Sequence, residues 1–160
     1  MTRILPGIIL ALIGAGLDGS GVAWSYFGIP FLVTDGFQNY IRIQIGLYAA
    51  AGLFTSVGIY LILTAILRIL PRASRWATPG PLLVLIGGLL GTFLSLVELA
   101  LIAVTLSPSG GTLPEWVGEA EIAVRIAAQL AGALGMVLSL VAIVRGALAR
   151  MAYPSPTLPA

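Results

Sequence analysis

Four side chains sit where chemistry is least expected: Asp18, Glu98, Arg125 and Gln129 each lie inside a long apolar run. An acid at the centre of a membrane helix costs roughly 2.5–3.5 kcal/mol on insertion scales, so such a group marks a packing or functional site by default. Two kinds of chemistry are open to it. Beside Arg125, the carboxylate of Glu98 or Asp18 stays charged at depth and clamps two helices together, because a lone acid there would be driven toward its neutral form. Left unpaired and reached by water, the same acid alternates between protonated and charged forms and handles a proton or a cation from the outer side. A third arrangement is a site completed only by another subunit, in which case Glu98 faces that partner.

Whether these groups meet depends on the elements that carry them. Residues 81–106 form a long apolar run whose one charged residue is Glu98, and a run of 18 or more apolar residues reads as a transmembrane helix. The same criterion gives spans at about residues 5–27, 44–70, 81–106 and 120–148. The fold expected is therefore all-α, a single integral membrane bundle of four transmembrane helices. An outer loop over 28–43 contains Asp35-Gly36, a turn pair. The short link around Arg72 and Arg75 makes the second and third spans an antiparallel hairpin, and a Pro-rich tail occupies 151–160. Met1-Thr2-Arg3 ahead of an apolar run is similar to the start of a secretory signal peptide; we read it as the opening of the first span.

Composition narrows the chemistry further. The chain is 59% hydrophobic and 9% charged, with a mean hydropathy of +1.07, against about 25% charged residues in soluble domains. With no His and no Cys, zinc-finger, iron–sulfur and Ser-His or Cys-His nucleophile chemistry is excluded, and neither a metal nor a cofactor is expected. All eight positive charges are Arg, and they form no patch suited to nucleic acid.

Those arginines orient the chain. Arg3, Arg68, Arg72, Arg75, Arg145 and Arg150 fall on one side and Asp35, Glu115, Glu119 and Glu121 on the other. The positive-inside rule then places both termini in the cytoplasm, in a multi-pass protein of the plasma (cytoplasmic) membrane.

Counting at about 1.5 Å per residue puts Glu98 about 12 Å below the outer end of its helix. Gln129 of the fourth span reaches the same level, Arg125 lies one turn above, and Asp18 sits at a similar depth in the first. The expected cluster is Asp18, Glu98, Arg125 and Gln129, with Gln44, Tyr48 and Arg42 as its rim. Small residues at helical spacing, Gly87, Gly91 and Ser95 in the third span and Gly132, Gly135 and Ser139 in the fourth, predict close helix packing.

Two motif matches fail on context. Gly14, Gly16 and Gly19 reproduce the letters of a dinucleotide-binding loop, but long apolar helices follow where alternating strands and helices are needed. The G-x-G-D signature of intramembrane aspartyl proteases is missed by one residue at Asp18. Size and span number are similar to those of small multidrug transporters and claudin-like tetraspans, yet the carboxylate setting of the former and the extracellular cysteines of the latter are missing.

The function expected is that of an accessory, structural subunit of a larger membrane complex, energy-transducing or transporting, whose cofactors sit in other chains. Its partners are then the lipid bilayer and other membrane subunits. The alternative is a small homo-oligomeric transporter or channel with an outward-facing carboxylate site. An enzyme would have to rest on Asp18 and Glu98 alone.

Overall fold

The computed structural model describes residues 3–28, 36–70, 79–105 and 114–152. They form four helices in order, α1 (Ile4–Phe27), α2 (Gly36–Ile69), α3 (Pro79–Thr105) and α4 (Glu115–Ala152). Each is long and apolar enough to cross a membrane, so the chain is a multi-pass, all-helical membrane bundle. The link at 71–78, the turn at 107–111, Asp35 and residues 153–160 of the tail lie outside the described residues.

Burial follows membrane logic. Small residues are inside: Gly7, Gly14 and Gly21 on α1, and Ala128, Gly135, Ser139, Ala142 and Gly146 on α4. Large apolar side chains such as Leu12, Phe93, Leu130 and Leu134 point outward. Lipid solvates those side chains as well as protein does, so helices associate through close backbone contact at small residues.

Two seams show this with a period of seven. On α1, a Cβ at Gly7 would lie 2.9 Å from Ile62, one at Gly14 would overlap Thr55, and one at Gly21 would lie 3.0 Å from Tyr48. The partners on α2 step back by seven as the glycines step forward, which defines an antiparallel hairpin in constant register. In α3 and α4, Gly80 meets Ser139 and Gly87 meets Gly132, again seven apart on both helices. A repeat of seven keeps one stripe facing a neighbour along the whole contact. The four-residue stripe expected from the sequence, with Gly91 as a contact, is corrected accordingly: a Cβ at Gly91 or Gly132 would have nothing within 4 Å.

The two hairpins join through α2 and α3. Ser56 of α2 sits against Gly88, and Thr92 of α3 lies 3.0 Å from where a Cβ of Gly52 would be. Both hydroxyls donate to a carbonyl four residues back in their own helix, Ser56 to Gly52 and Thr92 to Gly88. A hydroxyl in hydrocarbon is satisfied this way at no demand on its neighbour. The result is an open layer: α1 packs on α2 alone, α2 on α3, and α3 on α4, with α4 leaning on α2 to a lesser extent.

α2 starts eight residues before its expected position, so most of the described part of the 28–43 loop is helix. Gly36 opens it at φ 82°, a conformation natural to glycine. The extra turns are held to α1, where the Trp24 indole N–H donates to the carbonyl of Tyr40 (3.2 Å) and the Tyr40 hydroxyl donates to that of Ser25 (3.2 Å). The two rings stack with centroids 5.8 Å apart.

Candidate functional site

The α3–α4 seam carries the charged site. Continuing outward from Gly87 and Gly132 by one heptad brings Leu94 opposite Arg125, and another turn brings Glu98 opposite Glu121. Arg125 reaches both acids through one nitrogen: Nη2 donates to Glu98 Oε2 at 3.0 Å and to Glu121 Oε1 at 2.7 Å. The Glu121–Arg125 arm runs along one turn of α4, and the Glu98 arm crosses to α3. Two carboxylates on one guanidinium leave a formal charge of −1.

The side chains are open: Arg125 is 45% exposed, Glu98 39% and Glu121 24%. As a clamp the triad ties the C-terminal part of α3 to the N-terminal part of α4, but pairs this accessible contribute little in water, typically under about 1 kcal/mol. Nε and Nη1 of Arg125 engage no partner among the described residues. A guanidinium has five N–H donors, so three remain.

Beside Arg125 lies a cleft of about 400 Å³ between α3, α4 and the middle of α2, lined by Gly88, Gly91, Leu94, Gln129 and Met136 among others. The missing side chains at Gly91 and Gly132 leave the space. Gln129 faces it one turn inward from Arg125, exposed and without a partner among the described residues.

Other expected members lie elsewhere. Asp18 is exposed on α1, and α1 touches neither α3 nor α4, so it does not join Glu98, Arg125 and Gln129. The expected depths are corrected as well: the helix registers set Asp18 level with Phe93, five residues inward of Glu98, and set Arg125 one turn and Gln129 two turns inward of Glu98, where the sequence count put Gln129 level with it and Arg125 a turn outward. The rim is also displaced. Gln44 donates to the Ser25 hydroxyl at 2.8 Å and Tyr48 packs on Gly21, both on the α1 side of α2. Arg42 is exposed.

Glu121 went unrecognised, having been counted among the acids outside the membrane. Its position four residues before Arg125, a spacing at which opposite charges pair on a helix, was the available signal. Among the described residues no group of three or more acids is placed to hold a metal. No protein-family model matches the chain, and neither a curated protein nor a solved structure gives a match.

Proposed function

We propose that the chain is an accessory, structural subunit of a larger membrane assembly, embedded in the cytoplasmic membrane with both termini inside, contributing helix packing and no cofactor of its own. The observation that carries this reading is Asp18. It stands exposed near the middle of α1, without a hydrogen-bond or ion-pair partner among the described residues, at a depth where an uncovered acid costs roughly 2.5–3.5 kcal/mol. A covering helix from outside the chain removes that cost. The open layer supports the same reading, since α1 uses only one face internally.

Solubilisation of native membranes in mild detergent, followed by native sizing, tests it. The expected result is migration well above a 16.6 kDa chain in its micelle, with companion chains in fixed ratio. Recovery as a free monomer across several mild detergents would refute it.

The cleft favours a second reading, a small transporter or channel with an outward-facing site, because a mainly apolar space with Arg125 and Gln129 on its wall sits beside the Glu98–Arg125–Glu121 triad. Proton and cation flux into liposomes, compared between the native chain and Glu98→Gln, decides it. Equal flux removes this reading.

A further inference from the structure

We infer that the cleft between α2, α3 and α4 holds one acyl chain of a bilayer lipid, whose ester oxygens accept hydrogen bonds from Arg125 and Gln129. This holds whether or not the chain is a subunit of a larger assembly. What surrounds the cleft follows from the fold. All four helices are long and apolar enough to cross a membrane, and Gln129 and Met136 stand exposed on the cleft wall, so the space opens sideways into lipid.

Depth along α4 sets where its ends fall. Between Glu121 and Arg145 the only charged residue is Arg125. Those two positions lie about 36 Å apart at 1.5 Å per residue, enough to bracket a hydrocarbon core of about 30 Å. The Arg125 guanidinium, drawn onto Glu121, therefore sits at one boundary of that core. From Arg125 to Met136 the cleft runs about 16 Å along the helix, close to the depth of one leaflet's hydrocarbon, about 15 Å.

Width selects the occupant. A volume of about 400 Å³ spread over that length is a slot about 5 Å across, near the spacing of about 4.8 Å at which extended chains lie side by side. One extended chain fits it. A helix, about 10 Å across, does not, which sets this space apart from a helix-docking groove.

The wall changes character in the order that a lipid requires. At the boundary end stand the three N–H donors of Arg125 outside its Nη2 contacts, with the Gln129 amide one turn inward. Further in, the lining is Ile59, Val84, Gly87, Gly132 and Met136 among others, with no polar side chain. The esters of a lipid lie at the boundary and its chain runs inward from them. The triad already carries a formal charge of −1, which disfavours the carboxylate of a free fatty acid and leaves a neutral ester carbonyl as the matching acceptor.

The test places the full chain in phosphatidylcholine vesicles containing a small fraction of phosphatidylcholine with a photoactivatable diazirine in the middle of one acyl chain. After illumination, labelled peptides are mapped. Label on α4 around Met136 should saturate as the probe fraction rises, whereas label at lipid-facing Leu12 and Ile13 of α1 should keep rising in proportion. Gly91→Leu fills space where a Cβ would meet nothing within 4 Å, and should cut the α4 label several-fold. Gly16→Leu, equally open on α1, should leave it unchanged. Gln129→Leu, which keeps the slot and removes a donor, should raise the half-saturating probe fraction several-fold.

An α4 label that never saturates, or one indifferent to both Gly91→Leu and Gln129→Leu, overturns the inference. So does displacement of the label by oleate more readily than by unlabelled phosphatidylcholine, since the occupant would then be an acid and not an ester.

Discussion

The two hairpins of this bundle share a construction and differ in how they are closed. Both are antiparallel helix pairs with small residues every seven positions, Gly7, Gly14 and Gly21 in one and Gly80 and Gly87 in the other. At the end where α1 leads into α2, the two are joined by neutral groups: the Trp24–Tyr40 stack, the Tyr40 hydroxyl on Ser25 and the Gln44 amide on the Ser25 hydroxyl. At the same end, α3 and α4 are joined by one arginine shared between two acids. The first closure engages each of these side chains in a contact between α1 and α2. The second leaves donors and a charge over, and opens onto a cleft. At this end, polarity is thus spent on packing in one hairpin and kept accessible in the other, while Asp18, further along α1, stays exposed.

The largest break in this comparison should come from a seam that has no slack. A Cβ at Gly58 would lie 2.6 Å from the Ala11 nitrogen and 2.7 Å from the Gly7 carbonyl, all backbone that cannot step aside. Gly58→Val should destabilise the α1–α2 hairpin by about 3 kcal/mol or more, at the upper end of overpacking penalties, read as a lowered unfolding midpoint in detergent. Gly87→Val, which drives into Ala128 and Gly132 backbone, should do the same to the charged hairpin and free its Arg125 clamp.

Next in size is Arg125→Leu. It leaves Glu98 and Glu121 facing each other with no cation between, and should cost about 1–2 kcal/mol, restrained by the exposure of all three groups. The double change Glu98→Gln with Arg125→Gln should recover part of that loss, which a double-mutant cycle measures. In the neutral hairpin, Gln44→Leu removes one hydrogen bond and should cost about 0.5–1.5 kcal/mol, with no dependence on salt. The smallest effect belongs to Gly91→Ala, which projects into open space and should stay within about 0.5 kcal/mol of the native chain. A destabilisation there comparable to Gly58→Val would show that the cleft is occupied in the folded protein.

Much of this was legible in the sequence because hydrocarbon enforces it. Four apolar runs became four helices, and counting residues along antiparallel helices brought Glu98 within a turn of Arg125, although it set Gln129 two turns too far out because the helix ends were estimated from composition. What counting cannot supply is azimuth and neighbourhood. Asp18 lies on a helix separated from α3 and α4 by α2, and Gln44 and Tyr48 turn toward α1. The small-residue stripes were seen at a spacing of four, whereas the seams run at seven. Both spacings fall on nearly the same helix face, and only the partner's register separates a contact such as Gly87 from a gap such as Gly91. The early start of α2 was hidden because its first turns are held by Trp24, a residue distant in sequence.

The joint between the hairpins has a consequence for how the chain is made. Each hairpin carries both sides of its own seam, so α1 and α2 can zip together as soon as α2 has left the ribosome. Ser56 and Gly52 wait on the far face of α2, their hydroxyl and carbonyl already satisfied within the helix, so this joint exposes no unsatisfied polar group to lipid during the interval. When α3 arrives with Gly88 and Thr92 in the mirror arrangement, the two finished halves dock without any hydrogen bond having to be broken first.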